Sequence, residues 1–361
     1  MSVEQYLSLL QNNKEELIQR GNEIARNHYG NEITFSRNIF VPVTHQCRNR
    51  CSYCGFVSDD LESWITKEKY LQMIEQAKEA KCSEILLTLG EKPEEKYQSA
   101  RDFLAKQGFN STTEYVHYFC EVALSQRLLP HSNLGVLSYR ELEYLRDSNA
   151  SIGLMLETHS SRLMSEGEAH QYSLGKNPSL RLKMIENAGK LKIPFTTGIL
   201  VGIGETIEER IESLNILANL SRKYKHIQEV IVQNFNPQAG TPMQNNPPPS
   251  EEEYLLSVSL ARCILPSQVS VQIPPNLNKE RIIESIRYGA NDLGGISPIS
   301  IDYVNPNMKW HKEDELRLDL EQQGYLLKER LPVYPPYEKY LSNRIRKIIE
   351  ENYRNEEAFS P

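Results

Sequence analysis

Asn38-Ile-Phe-Val-Pro-Val43 runs into Cys47-Arg-Asn-Arg-Cys51-Ser-Tyr-Cys54, and this junction decides the fold. A short apolar run reads as a buried strand, and three cysteines within eight residues place chemistry in the loop that follows it. The same grammar repeats outward. Thr66 caps an amphipathic helix to Ala80, and Glu84 to Leu89 is a strand ending at Gly90. Helix Thr113–126, strand Leu134–137, helix Tyr139–146, strand Ser151–157 and helix Ser179–190 follow. Pro194–202 is the next strand, Thr206 caps a helix to about Tyr224, and Gln228–234 is a sixth strand. A Pro- and Asn-rich stretch, Asn236–250, reads as a linker before a helix with acidic residues in its first turn. Val269–273, helix Lys279–288 and Ala290–296 complete about eight strand–helix units, with two helical patterns in the tail. Strands apolar on both faces, joined by helices, imply a parallel sheet. The count favours a TIM-type (βα) barrel over an open sheet, with chemistry at the C-terminal ends of the strands. The expected organisation is an N-terminal helical extension over 1–35, a barrel over 36–300 and a C-terminal helical extension over 301–361.

Composition narrows the function. The 361 residues carry 41 Lys+Arg against 48 Asp+Glu, a formal charge of −7, which disfavours electrostatic capture of nucleic acid or anionic membrane. The most apolar uncharged stretch, Ile193 to Gly204, is too short to span a bilayer. Met1-Ser-Val-Glu-Gln-Tyr6 lacks a basic region followed by an apolar run, so a cytoplasmic protein without a signal peptide is expected. Thiols stay reduced there, and clustered cysteines read as metal ligands. Cys82, Cys120 and Cys263 are isolated in apolar contexts and read as core.

Three thiolates at C-x-x-x-C-x-x-C spacing can bind three irons of a [4Fe–4S] cube and leave the fourth iron open. The competing reading is a zinc-stabilised binding protein with His45 as a fourth ligand. Arg48 and Arg50 interleave the cysteines, and Tyr53 offers an aromatic face for an adenine. Gly198-Ile-Leu-Val-Gly202-Ile-Gly204-Glu205 follows a strand, but a dinucleotide fingerprint would need glycine at Ile207.

The cysteine spacing, with an aromatic residue before the last cysteine and a strand before the first, resembles the radical S-adenosylmethionine (SAM) superfamily. That resemblance implies SAM chelating the open iron through its amino and carboxylate groups. An electron then splits the sulfonium, and a 5′-deoxyadenosyl radical takes hydrogen from substrate. It also implies SAM contacts at Tyr53, at Gly90 and Glu91 after the second strand, at Glu157 closing the fourth, and at Arg181 on the following helix. Gly202 and Gly204 would pack on adenine.

Cys47–Phe56, Leu89-Gly-Glu-Lys-Pro-Glu94, Gln233-Asn-Phe-Asn-Pro237 and Asn291-Asp-Leu-Gly-Gly-Ile-Ser-Pro298 are similar, within that superfamily, to the 7,8-didemethyl-8-hydroxy-5-deazariboflavin synthases, on their ring-closing subunit. The family implies an ammonia-lyase type of reaction. A hydroxybenzyl adduct of 5-amino-6-(D-ribitylamino)uracil, made by a partner radical SAM subunit, is cyclised to the deazaflavin with loss of ammonia. A reductant such as ferredoxin or flavodoxin supplies the electron. Asn234 and Asn236 are the expected uracil contacts, and Asp292, with Ser297 near the eighth strand end, the expected base. The hydroxybenzyl-transferring partner subunit and other biotin-synthase-like members are the nearest alternatives.

Overall fold

The computed structural model describes residues 1–60 and 63–354. Two helices, α1 (Val3–Asn12) and α2 (Lys14–Tyr29), precede β1 (Glu32–Pro42). Then come α3 (Lys67–Glu79), β2 (Glu84–Thr88), α4 (Gln98–Gln107), α5 (Thr112–Ser125), β3 (Leu129–Asn133), α6 (Tyr139–Arg146) and β4 (Ser151–Gly153). The second half runs α7 (Pro178–Lys190), β5 (Phe195–Val201), α8 (Ile207–Tyr224), β6 (Ile227–Asn234), α9 (Glu251–Ile264), β7 (Ser270–Gln272), α10 (Ile282–Arg287) and β8 (Asp292–Ile296). The tail adds α11 (Glu313–Gln322), β9 (Leu326–Glu329) and α12 (Asn343–Tyr353).

All strand pairings are parallel, in the order β2 to β8 and then β1, and β1 also pairs β2, which closes an eight-stranded barrel. The closure depends on the length of β1. Its residues 38–42 lie beside β2, and residues 34–37 lie beside β8. Residues 32–35 also pair β9, a strand the sequence pattern does not announce because it is short, charged and half exposed. Helices coat the outside where local signals direct them. Thr66 and Thr206 accept backbone N–H bonds as N-caps of α3 and α8, and Ser250 does the same for α9. None of the described helices is long and apolar enough to cross a membrane.

Four readings change. The third strand is Leu129–Asn133, not Leu134–137, which is a turn beyond it. Pro130, His131 and Ser132 interrupt the apolar pattern there, because this strand turns polar groups into the lumen. The fourth strand pairs over only Ser151–Gly153; beyond it the chain reaches a single bridge between Glu157 and Ile199. Helix α4 lies in the crossover between β2 and α5, where the sequence pattern announces no helix. The stretch 236–250 is no linker: its Met243 is buried and donates a backbone bond to Ser52 O at 3.0 Å.

The N-terminal end of the barrel is sealed by charge. Arg330, just after β9, donates to both oxygens of Asp292 at 2.6 and 2.8 Å and to Glu229 at 2.8 Å. The Tyr334 hydroxyl also donates to Glu229. Glu84 sits in the same layer with a hydrogen bond from Ser36, and burial pushes its carboxyl up to about 7. Between its ordinary pKa near 4.5 and about 7 the folded state therefore holds a proton that the unfolded chain has lost. This contribution to stability falls as pH rises through that window. Glu84→Gln, which cannot titrate, is expected to flatten the fall in denaturation midpoint between pH 5 and 7.5. An unchanged slope would locate that titration elsewhere.

Candidate active site

A cavity of about 410 Å³ opens at the C-terminal ends of the strands and continues into the barrel. Cys47, Cys51 and Cys54 line it, in the loop that leaves β1. That loop is tied down on both sides. Gly90 N donates to Thr44 O at 2.9 Å and Arg48 N to Glu91 O at 2.9 Å, from the turn after β2. From the segment after Glu157, Arg50 N reaches Tyr172 O at 3.1 Å and Ser52 N reaches Ala169 O at 2.9 Å. The cysteine loop is thus held by its neighbours more than by its own turns.

Gly90 is required by this closeness. A Cβ there would lie 2.6 Å from Gln46 C and 2.8 Å from Cys47 Cβ. Backbone cannot yield as a side-chain tip can. Gly90→Ala is expected to push the cysteine loop outward and to lower iron incorporation at least threefold, read as iron per chain after anaerobic reconstitution. Full loading would show that the loop tolerates the displacement.

The thiols suit a metal cluster. The backbone N–H groups of Asn49 and Glu91 point at Cys47 Sγ, at 3.4 and 3.1 Å, an arrangement that favours a thiolate. Burial nevertheless pushes Cys47 up, and burial together with Cys51 pushes Cys54 up to about 12. Such thiols ionise on binding metal, since coordination removes the proton outright. No three Cys, His, Asp or Glu side chains among the described residues converge on a single ion. A cubane needs no such convergence, because each thiolate takes a different iron. His45 is not gathered with the three cysteines round one ion among the described residues. Its ring packs on Phe56 at 4.3 Å between centroids, with Nδ1 2.8 Å from Phe56 O. Arg48 and Arg50 are not free counter-charges either: Arg48 pairs with Glu91 and Glu95, and Arg50 with Asp59. Cys82 and Cys120 are buried as expected, and Cys263 is half-buried against the core.

Beside the cysteines stands a second charged group. Glu157 closes the fourth strand segment in a left-handed conformation (φ 65°) and is ion-paired with Lys176. Burial raises its carboxyl, but Lys176 and Arg181 outweigh burial and hold it below the ordinary carboxylate range. Arg181 is no surface arginine; it is 3% exposed. Its Nε donates to Gly175 O at 2.7 Å and its Nη1 to Met155 O, and Nη2 lies 3.9 Å from Glu91. Tyr53 lines the same wall, with its hydroxyl 3.0 Å from His170 Nε2 and the Lys176 ammonium 5.8 Å from its ring centroid. Asn234 and Asn236 line the cavity at the end of β6; the Asn234 Oδ1 accepts from Asn278 at 3.0 Å.

The Glu91 carboxylate lines the cavity with partners already in place: Oε1 takes Arg48 at 2.6 Å and Oε2 takes the Val136 N–H at 3.1 Å. Two expectations are corrected. Gly202 and Gly204 do not line the main cavity but a smaller one with Ser52, Met243 and Pro247. Both adopt positive φ, and the Glu205 carboxylate accepts the Gly202 and Ile203 N–H groups, so they shape a turn. From that segment only Leu200 reaches the main cavity. Asp292 begins β8 rather than ending it, fully buried and occupied by Arg330, Thr34 and the Gly294 N–H, so it is not placed to act as a base. Ser297, past the end of that strand, spends its hydroxyl on Ser300.

Sequence reading missed Lys176, Asn38, Gln272, Trp310 and Arg330, all of which line the cavity. None carries a local motif, and Arg330 and Trp310 come from the tail.

A parallel eight-stranded barrel with three clustered cysteines in the loop after its first strand defines a radical SAM enzyme, and the profile of the Radical SAM superfamily matches residues 41–217. Among its relatives, the 7,8-didemethyl-8-hydroxy-5-deazariboflavin synthase of Methanothermobacter thermautotrophicus is 50% identical over 324 residues, 89% of this chain and 98% of that protein. The synthase of the same name from Methanopyrus kandleri is 47% identical over 309 residues, 84% of this chain and 92% of its own. The chain belongs to the 7,8-didemethyl-8-hydroxy-5-deazariboflavin synthase family. Its fold is shared with methylornithine synthase (TM-score 0.72, 19% identity, 91% of this chain and 94% of that one). It is also shared with the FeFe-hydrogenase maturase of Carboxydothermus hydrogenoformans (TM-score 0.74, 17% identity, 99% and 88%).

Proposed function

We propose that this enzyme closes the central ring of a hydroxybenzyl adduct of 5-amino-6-(D-ribitylamino)uracil, with loss of ammonia, to give the deazaflavin. One observation carries the reading: a single cavity brings together three cysteines, a fixed Glu157–Lys176–Arg181 group and a wall of carboxamides. Cys47, Cys51 and Cys54 would hold a [4Fe–4S] cluster, with SAM on the adjoining wall. When bound, the pair supplies a reducing electron and a carbon radical able to abstract hydrogen.

The chain's own residues bind and orient. Lys176 and Arg181 are cations fixed by backbone and carboxylate partners, suited to a carboxylate of SAM. Glu157, kept ionised, accepts from ammonium or ribose hydroxyls. Tyr53 and Leu200 give apolar contact and exclude water from the reacting end. Gln233, Asn234 and Asn236 present donors and acceptors matched to a uracil edge. The adduct is supplied by an enzyme that joins a tyrosine-derived hydroxybenzyl group to the uracil. The electron comes from a low-potential donor of ferredoxin or flavodoxin type.

The test is anaerobic reconstitution with iron and sulfide, followed by SAM, reductant and adduct. The expected result is about four irons per chain, 5′-deoxyadenosine and a fluorescent deazaflavin. One zinc per chain, or release of the uncyclised adduct from tyrosine and the uracil, would overturn it.

A further inference from the structure

The cavity does not end at the SAM wall. It descends through the lumen to Arg330, and the lower part is polar where TIM-type barrels are commonly filled with branched apolar side chains. Asn38, Glu84, His131, Thr196, Glu229 and Gln272 face it from β1, β2, β3, β5, β6 and β7. Glycines opposite make the space. A Cβ on Gly153 would lie 2.9 Å from His131 Nε2, and one on Gly295 would lie 2.9 Å from Asn38 Cγ. Asn38 is 1% exposed, and its Oδ1 has no hydrogen-bond partner among the described residues. An unsatisfied buried carbonyl is costly, so its retention in the lumen points to a ligand that supplies the donor.

The charges state which ligand. Three carboxyl groups, Glu84, Glu229 and Asp292, surround the one guanidinium of Arg330, which is already spent on Asp292 and Glu229. His131 adds no charge, because burial and Arg330 hold it down at about 3. The well is rich in acceptors and has no cation to spare. It suits a neutral chain of hydroxyl donors and opposes a phosphate, which brings about −1.5 to −2 charges.

Resting on the ring-closing function proposed above, we infer that the closed end of the barrel is the subsite for the substrate's ribityl chain, and that it selects the unphosphorylated polyol. The reacting end must lie beside the cysteines, so the inner end receives the part of the molecule that does not react. Asn38 acts here as a substrate-binding residue, with Glu84 and Gln272 as further hydrogen-bond partners for the polyol.

Equilibrium binding to the purified protein tests this with three probes: 6-(D-ribitylamino)uracil, its 5′-phosphate and 6-(methylamino)uracil. The ribityl compound is expected to bind at least tenfold more tightly than either other probe. Asn38→Ala should weaken the ribityl compound at least fivefold and leave the methyl compound within twofold. Equal binding of ribityl and methyl compounds, preference for the phosphate, or an equal loss for both neutral probes in Asn38→Ala would overturn the inference. Should that variant fail to fold, the wild-type series decides alone. If the series holds while the hydroxybenzyl adduct gives no deazaflavin, the ring-closing function falls and the polyol subsite stands. If deazaflavin forms but the series shows no selectivity, only the subsite falls.

Discussion

Cys51→Ala, Cys47→Ala and Cys54→Ala are each expected to abolish stable cluster loading and to cut 5′-deoxyadenosine formation by roughly 1,000-fold or more, since each thiolate is the sole protein ligand its iron would have. The three side chains line one cavity wall, and no neighbouring Cys, His, Asp or Glu gathers with them round one ion that would substitute for a lost ligand among the described residues. The control is Cys120→Ala. That thiol is fully buried between α5 and the barrel, 3.5 Å from the Ser132 hydroxyl. Its loss should cost stability of about 1 kcal/mol while iron per chain stays at the wild-type level. Iron analysis and deoxyadenosine quantification on the four variants give the answer. A fully loaded Cys51→Ala protein would remove the chemical basis of the site.

Arg330→Met is expected to be the most destabilising single change away from the cysteines, by about 3–5 kcal/mol at pH 8. The substitution keeps length and apolar volume but strands Asp292 and Glu229, which are 0% and 4% exposed. A buried pair adds little net stability when formed, yet breaking it leaves uncompensated charge. Burial and Asp292 already raise the Glu229 carboxyl, and Arg330 opposes them most, with help from the Thr196 and Tyr334 hydroxyls. Without the guanidinium the folded state gains by holding a proton there, so the deficit should shrink as pH falls from 8 towards 5.5. Adding Glu229→Gln and Asp292→Asn should recover part of the loss at pH 8. Denaturant midpoints at the two pH values measure this; a pH-independent deficit would mean that lost packing of Arg330, not stranded charge, dominates.

What was legible in the sequence were features whose cause is local. Helix starts at Thr66, Thr206 and Ser250 are set by a hydroxyl and the N–H three residues on. Helix α6 begins and ends where its capping box and periodicity place it. The three cysteines depend only on their spacing and on the strand before them. β3 escapes the apolar pattern because a strand facing a polar lumen loses the apolar run by which buried strands are recognised. The pairing of Glu91 with Arg48, 43 residues away, is invisible in Leu89-Gly-Glu91 alone. The place of Asp292 at the start of β8 is hidden from the sequence because that strand's boundary is fixed by its register with β1 and β7, not by the residues around it.

By itself, then, the amino-acid order determined the parallel strand–helix alternation and the three-cysteine cluster after the first strand, since both arise from contacts within a few residues. Only the tertiary structure decided which side chains meet inside the barrel. Closure brings β1 against β8 and lodges Arg330 beneath residues a hundred or more positions earlier, such as Glu229. Charge there is balanced across the lumen rather than along the chain, and no local pattern encodes a distance across a closed ring of strands.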